Sequence, residues 1–343
     1  NSFFGGAMRR VPDARLSRGG AQPFSPDRAC GAMPQPPGPL ALRAGLAESH
    51  AEAKRQAGKL DYSGLEDFLG RAGPVLARGP VAVLLVEDPV EIAATLIHLG
   101  RCGFRATVVL LPAAIPLPPD LPDGTAARLH VIRWNTTADA TLTRALNPIL
   151  QITPETTWLH YCYNAEYLLY PFCETRSIGE VIAFQTEERR DSILTYVVDL
   201  YAPDLGRNPN AVNIAEAMLD RSGYYALARP DPKNQGHPKE RQLDFFGGLR
   251  WRFEEHIPKP RRRIDRIGLF RAQKGLMLRE DPIFSIEEYN PYACPWHNNL
   301  TAAIASFRTA KALKTNPGST FDIPTFQWHN SVKFGWESQQ LMD

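Results

Sequence analysis

The chain has 343 residues, 43% hydrophobic and 22% charged, with 39 Lys plus Arg against 37 Asp plus Glu. That is the make-up of a folded globular protein of one large or two ordinary domains, and a net charge of +2 marks neither a nucleic-acid nor a membrane-surface partner. The longest apolar runs, VAVLLV and ATVVLLPAAIPL, fall short of the roughly 20 residues a spanning helix needs, so no transmembrane helix is expected.

Residues 1–40 are rich in Gly, Pro and Arg and lack a sustained hydrophobic period. Such a stretch buries too little surface to offset its ordering entropy, and reads as a flexible arm suited to wrapping a protein partner. NSFFGGAM at its head is left out of the fold, and no apolar run followed by a small-residue cleavage site marks a secretory signal. Residues 41–75 read as a helical lead-in, beginning with LALRAGLAESHAEAKRQAG, where Ala, Leu, Glu and Lys dominate without an internal proline. The remainder, 76–343, reads as one domain, and ESQQLMD ends it without a cap, as in a chain cut short.

The first strong signal is VAVLLV (81–86), a continuous apolar run of the kind a fully buried strand shows. EDP breaks it, VEIAATLIHLGRCG predicts a helix closed by glycine, and RATVVLLP (105–112) a second buried strand. Strand, helix and strand at this spacing predict a right-handed crossover with parallel strands. LHVIRW (129–134) adds a third strand, ADATLTRALNPILQ a helix, and TWLHYCY (157–163) a fourth strand. GEVIAFQTEERR then predicts a helix, DSILTYVVDLY a strand, and RPDPKNQGHPKE a surface loop or disordered tip. FFGGLRWRFE predicts a Gly-Gly turn into a strand that carries Arg250 and Arg252 on one face. The repeating pattern implies an α/β fold, a mixed, mostly parallel sheet with helices on both faces.

In such sheets ligands are met beyond the carboxyl ends of the strands. That places Glu87 and Asp88, after the first strand, with Asn164 and Glu166, after the fourth, around one candidate cleft. Asp88 precedes Pro89, as a helix cap does. Asp199 is expected to hydrogen-bond a neighbouring loop. Arg250 and Arg252 suit a diphosphate, because planar guanidinium groups match phosphate oxygens. Glu254 and Glu255 offer a carboxylate base for an acceptor hydroxyl. His329 and Lys333, four apart, share a face if their segment is helical. KPRRRIDR (259–266), the strongest basic run, lacks interleaved aromatics and reads as a solvated edge or a polyanion contact; no nucleic-acid partner is expected. Trp158, Tyr161, Tyr163, Tyr167 and Tyr170 are expected in the core. Five cysteines without paired spacing read as reduced thiols of a cytoplasmic protein, and His297 as structural.

In order, WLHYCYNAEYLLYPFCETR, VVDLY, FFGGLRWRFE and TFQWHNSVKF resemble the bacterial glycosyltransferase family 2-like proteins that carry a DADEFL-type strand end. The resemblance implies a GT-A type fold, a nucleotide-diphosphate sugar as donor, an acceptor hydroxyl, and a divalent metal, manganese or magnesium, bridging protein and diphosphate. Laid on DADEFL, YNAEYL keeps the glutamate as Glu166 but puts Tyr163 and Ala165 where the two metal-binding aspartates stand. The implied roles are Glu166 and Glu255 in catalysis, Glu87, Asp88, Asn164, Arg250, Arg252 and Lys333 in substrate binding, and Glu166 with His329 at a weakened metal site. Loss of both aspartates keeps open a second reading, a catalytically inactive binding or scaffold protein on the same fold. A dinucleotide-dependent oxidoreductase is disfavoured because EDPVEI stands after Val86 where a GxGxxG turn belongs.

Overall fold

A computed structural model describes residues 61–231, 234–290, 300 and 302–337, so the arm, most of the helical lead-in, Cys30, Cys294 and His297 lie outside the described residues. In chain order the strands are β1 (Asp61–Tyr62), β2 (Val81–Leu85), β3 (Ala106–Leu111), β4 (Leu129–Arg133), β5 (Trp158–Tyr163), β6 (Glu166–Leu169), β7 (Ser192–Tyr201), β8 (Met218–Asp220), β9 (Tyr225–Pro230), β10 (Pro238–Phe246), β11 (Asp265–Arg271), β12 (Ala302–Ser306) and β13 (Ser331–Lys333). The α-helices are α1 (Leu65–Arg71), α2 (Gly73–Leu76), α3 (Ile92–Cys102), α4 (Asp123–Ala126), α5 (Thr141–Ile152), α6 (Ile178–Glu187), α7 (Leu249–Arg252) and α8 (Arg308–Thr315).

The sheet runs β1-β4-β3-β2-β5-β11-β7-β12-β6, with β8 and β13 appended beyond the end of β7. β1 to β5 are parallel, β11 enters antiparallel between β5 and β7, and β12 runs parallel to β7. The chain is therefore α/β with a mixed, mostly parallel sheet. Every residue of β2, β3 and β5 is buried, which explains their unbroken apolar sequence: parallel strands covered on both faces have no polar side to show.

Alternation along β2 shows the two layers. Val81, Val83 and Leu85 pack with Phe68 of α1 and Leu146 and Ile149 of α5. Ala82 and Leu84 pack with Leu96 and Leu99 of α3 and Val181 of α6. Gly103 closes α3 at φ 92°, a left-handed cap that glycine adopts at little cost. The five aromatics Trp158, Tyr161, Tyr163, Tyr167 and Tyr170 are all buried, as expected.

Three elements differ from the sequence reading. The segment read as a surface loop, RPDPKNQGHPKE, spans the end of β9 and the start of β10, a separate antiparallel hairpin. FFGG does not lead into a strand: Gly247 and Gly248 (φ 157° and 62°) turn the chain directly into the short helix α7. The WHNSVK segment is a turn at His329 followed by β13, so His329 and Lys333 share no helical face. No helix among the described residues is long and apolar enough to cross a membrane.

Candidate functional site

β2, β5, β7 and β12 all point the same way, so their carboxyl ends gather Glu87 and Asp88, Tyr163 and Asn164, Asp199, and Ser306 to Arg308 along one edge. Asn164 joins two of these ends. Its Oδ1 accepts the Glu87 N–H (2.9 Å), and its Nδ2 donates to the Asp88 carboxylate (2.8 Å) and the Val90 carbonyl (2.8 Å). A buried side-chain amide satisfied in this way fixes the turn after β2 against the end of β5. Asp88 accepts the Val90 N–H (2.8 Å), whereas α3 begins two residues later with Glu91 as its N-cap. Asp88 thus caps the turn, not the helix that the sequence suggested.

After Asn164 the chain reverses through Ala165, at φ 62°, and enters β6 antiparallel to β12. Ser306 of β12 stands opposite Glu166 on one side and Asp199 on the other, so the three form a row across the sheet. Glu166 is only 1% exposed. Its Oε2 accepts from Arg266 Nη2 (2.5 Å) and the Tyr163 N–H (3.0 Å), while Oε1 accepts from the Ser306 hydroxyl (3.1 Å) and Arg266 Nη1 (3.4 Å). Burial pushes this carboxyl upward, but the Arg266 charge and hydrogen bonds outweigh it and hold it down to about 2.

This corrects two expectations. Glu166, taken from sequence as metal ligand or base, has both oxygens engaged by protein donors. Arg266, counted in a solvated basic run, is the buried partner of Glu166, and its neighbours are paired too: Arg262 with Glu254 (2.9 Å) and Arg263 with Asp265. Arg266 also lies 5.1 Å from the Tyr161 ring.

Beside this pair stand two cations that sequence reasoning missed. Arg308 grips Glu87 side-on, Nε to Oε2 at 2.7 Å and Nη2 to Oε1 at 2.6 Å, and its guanidinium carbon lies 3.5 Å from the Tyr163 ring centroid. Lys311, one turn along α8 and buried, reaches the Asp88 carboxylate at 2.8 Å and the Asn164 carbonyl at 3.3 Å. The glutamate and aspartate after β2 are therefore held from across the sheet by the first turn of α8.

Arg250 and Arg252 do not share a face. Arg250 donates through Nε to Asp199 (3.2 Å), which also accepts from Thr309 (2.8 Å). Burial raises the Asp199 carboxyl above its ordinary value although Arg250 opposes it. The internal hydrogen bonding expected of Asp199 is present. Arg252 instead pairs with buried Asp220 (3.0 Å) and lies over Trp328, 4.6 Å from the ring centroid. Both guanidinium groups are thus engaged with protein carboxylates, unlike the free diphosphate-facing pair expected from a strand. Glu254 and Glu255 sit on an exposed 3-10 turn, with Glu255 3.7 Å from His256. His329 is exposed with its ring 4.7 Å from Trp328, and Lys333 is exposed on β13.

Among the described residues no three His, Cys, Asp or Glu side chains are grouped as around a metal ion. A cleft of about 610 Å³ lies elsewhere, between α1 and α5, lined by Asp67, Trp134, Arg144 and Asn147 among others. No model of a known protein family matches the chain, and no curated protein matches it.

Proposed function

We propose that this chain is a glycosyltransferase-like protein of the GT-A type that binds a nucleotide-diphosphate sugar at the carboxyl edge of its sheet and passes the sugar to an acceptor hydroxyl. The observation that carries this reading is the Asn164 amide, which binds the Glu87–Asp88 turn to the end of β5 and so assembles the edge where the resemblance puts the donor. Glu87 and Asp88 keep about a third of their side-chain surface exposed (31% and 35%), enough to meet a ribose or base. The mixed, mostly parallel sheet is in keeping with the fold that the resemblance implies. Free thiols at Cys102, Cys162 and Cys173 suit a reducing, cytoplasmic setting.

The departing diphosphate gathers negative charge as the bond to the sugar breaks, and fixed positive charge at that place is the main catalytic contribution such a site makes. The acceptor hydroxyl needs a carboxylate within hydrogen-bond reach; Glu255 is exposed, whereas Glu166 is sealed by Arg266 and Ser306. The donors present do not fit the implied metal. A hard dication takes several free oxygens. Here Tyr163 and Ala165 supply no carboxylate, and Glu166 has its oxygens filled.

That sealing favours one alternative, a binding or scaffold protein that kept the sheet and lost the chemistry. Incubation with a panel of nucleotide sugars and detection of released nucleoside diphosphate tests the choice. Release from one donor supports the transferase. Binding without release, or no affinity for any donor, counts against the transferase and supports the binding or scaffold protein.

A further inference from the structure

We propose that Arg308, seated on the ring of Tyr163, takes the place of a divalent cation and is the group that receives a diphosphate at the carboxyl edge. This rests on the nucleotide-sugar reading above. Tyr163 stands where the resemblance puts a metal-binding aspartate, and its ring carries a guanidinium at 3.5 Å. An aromatic face holds a planar cation much as a carboxylate holds a metal ion, by attraction to a negative surface.

Glu87 fixes that cation without exhausting it. A guanidinium has five N–H donors in a fixed fork. Glu87 takes one at Nε and one at Nη2, and among the described residues Nη1 donates to nothing. The side chain keeps 26% of its surface exposed. Lys311 acts differently. Buried against Asp88 and the Asn164 carbonyl, it is a positioning residue that holds the turn after β2 in place. The local charges also balance without a metal: Glu87, Asp88 and Glu166 face Arg308, Lys311 and Arg266 pairwise. A dication beside Tyr163 would lie against Arg308 with no carboxylate of its own. A diphosphate would meet oriented N–H donors of the kind that bind phosphate oxygens strongly.

The test is calorimetric titration of the full chain with inorganic pyrophosphate, and separately with uridine and guanosine diphosphate, in EDTA and then with manganese. Pyrophosphate is expected to bind in EDTA, with no gain on adding manganese. Arg308→Gln is expected to weaken it about tenfold or more, the cost of losing hydrogen bonds to a charged group. Glu87→Gln removes the competing carboxylate and is expected to tighten binding, a gain that a damaged fold cannot imitate. Pyrophosphate binding that needs manganese, that is absent in both conditions, or that ignores both substitutions overturns the proposal. If pyrophosphate binds through Arg308 while neither nucleotide binds, the nucleotide reading falls and this one stands. Nucleotide binding that needs manganese and is indifferent to Arg308 gives the reverse.

Discussion

Replacing Arg266 with methionine would leave the Glu166 carboxylate buried without its counter-charge. Glu166 is 1% exposed, and Arg266 reaches it through both terminal nitrogens. In the folded protein, burial pushes its pKa up, but Arg266 more than offsets this and holds it near 2, against 4.5 ordinarily. At about 1.4 kcal/mol per pH unit, that drop corresponds to roughly 3 kcal/mol of stability, present above pH 4.5 and lost as pH falls from 4.5 toward 2. Breaking a buried pair by removing one partner costs about 3–5 kcal/mol, which agrees in size. In Arg266→Met the Ser306 hydroxyl, the Tyr163 N–H and the charge of Arg308 remain, and burial, the largest influence, then raises the Glu166 pKa above its unfolded value. The penalty relative to wild type should therefore grow as pH rises from mildly acidic to neutral. Urea unfolding followed by tryptophan fluorescence at several pH values measures it. Adding Glu166→Gln should recover part of the loss at neutral pH. A penalty below about 1 kcal/mol, or one that does not change with pH, would refute the assignment of this pair as the internal anchor of the site.

Three further outcomes are expected. Gly247→Ala should lower stability by about 1–3 kcal/mol in thermal unfolding, because a Cβ there would fall 2.2 Å from Tyr224 Cδ1 and 2.9 Å from the Gly223 carbonyl oxygen. His160, buried against Phe104 and hydrogen-bonded to the Gly268 carbonyl, is pushed down to about 4 by burial, so its ring resonances should stay those of the neutral form through mildly acidic pH. Its contribution to stability is present above pH 6.5 and lost as pH falls toward 4; a ring that titrates at its ordinary pKa contradicts this. Burial pushes the Cys102 thiol up to about 12 and the Cys162 thiol upward as well, so neither should be alkylated before unfolding, while half-buried Cys173 should label before these two in peptide mass spectrometry.

The first half of the sheet was legible because its strands are covered on both faces and its helices are amphipathic. Runs such as VAVLLV carry that signature locally, and the glycine after α3 marks its end. Register and partners were less legible. β12 reads AAIAS, mostly small residues with weak strand preference, although all five are buried; without recognising that strand, nothing placed Arg308 and Lys311 at the edge. Arg266 sits among four other arginines and lysines in KPRRRIDR, and only the antiparallel entry of β11 between β5 and β7 turns it inward to a glutamate 100 residues away. Arg250 and Arg252 looked like neighbours on a strand face because alternation was assumed after Phe246. Gly248, at φ 62° and ψ −148°, starts a helix there and sends the two to different carboxylates. Ala165 adopts a left-handed φ of 62°, a region that aspartate and asparagine enter more readily than alanine, so its residue type gave no sign of the turn there.

The central claim is that the strand ends of β2 and β5 form the nucleotide-diphosphate site. Hydrogen exchange of backbone amides, recorded by mass spectrometry on the full chain with and without uridine or guanosine diphosphate, tests it most directly. Slowed exchange confined to the segments around Glu87–Val90, Tyr163–Glu166 and Arg308–Lys311 is the predicted result. Slowed exchange at the cleft between α1 and α5 instead, or none anywhere with either nucleotide at saturating concentration, would contradict it.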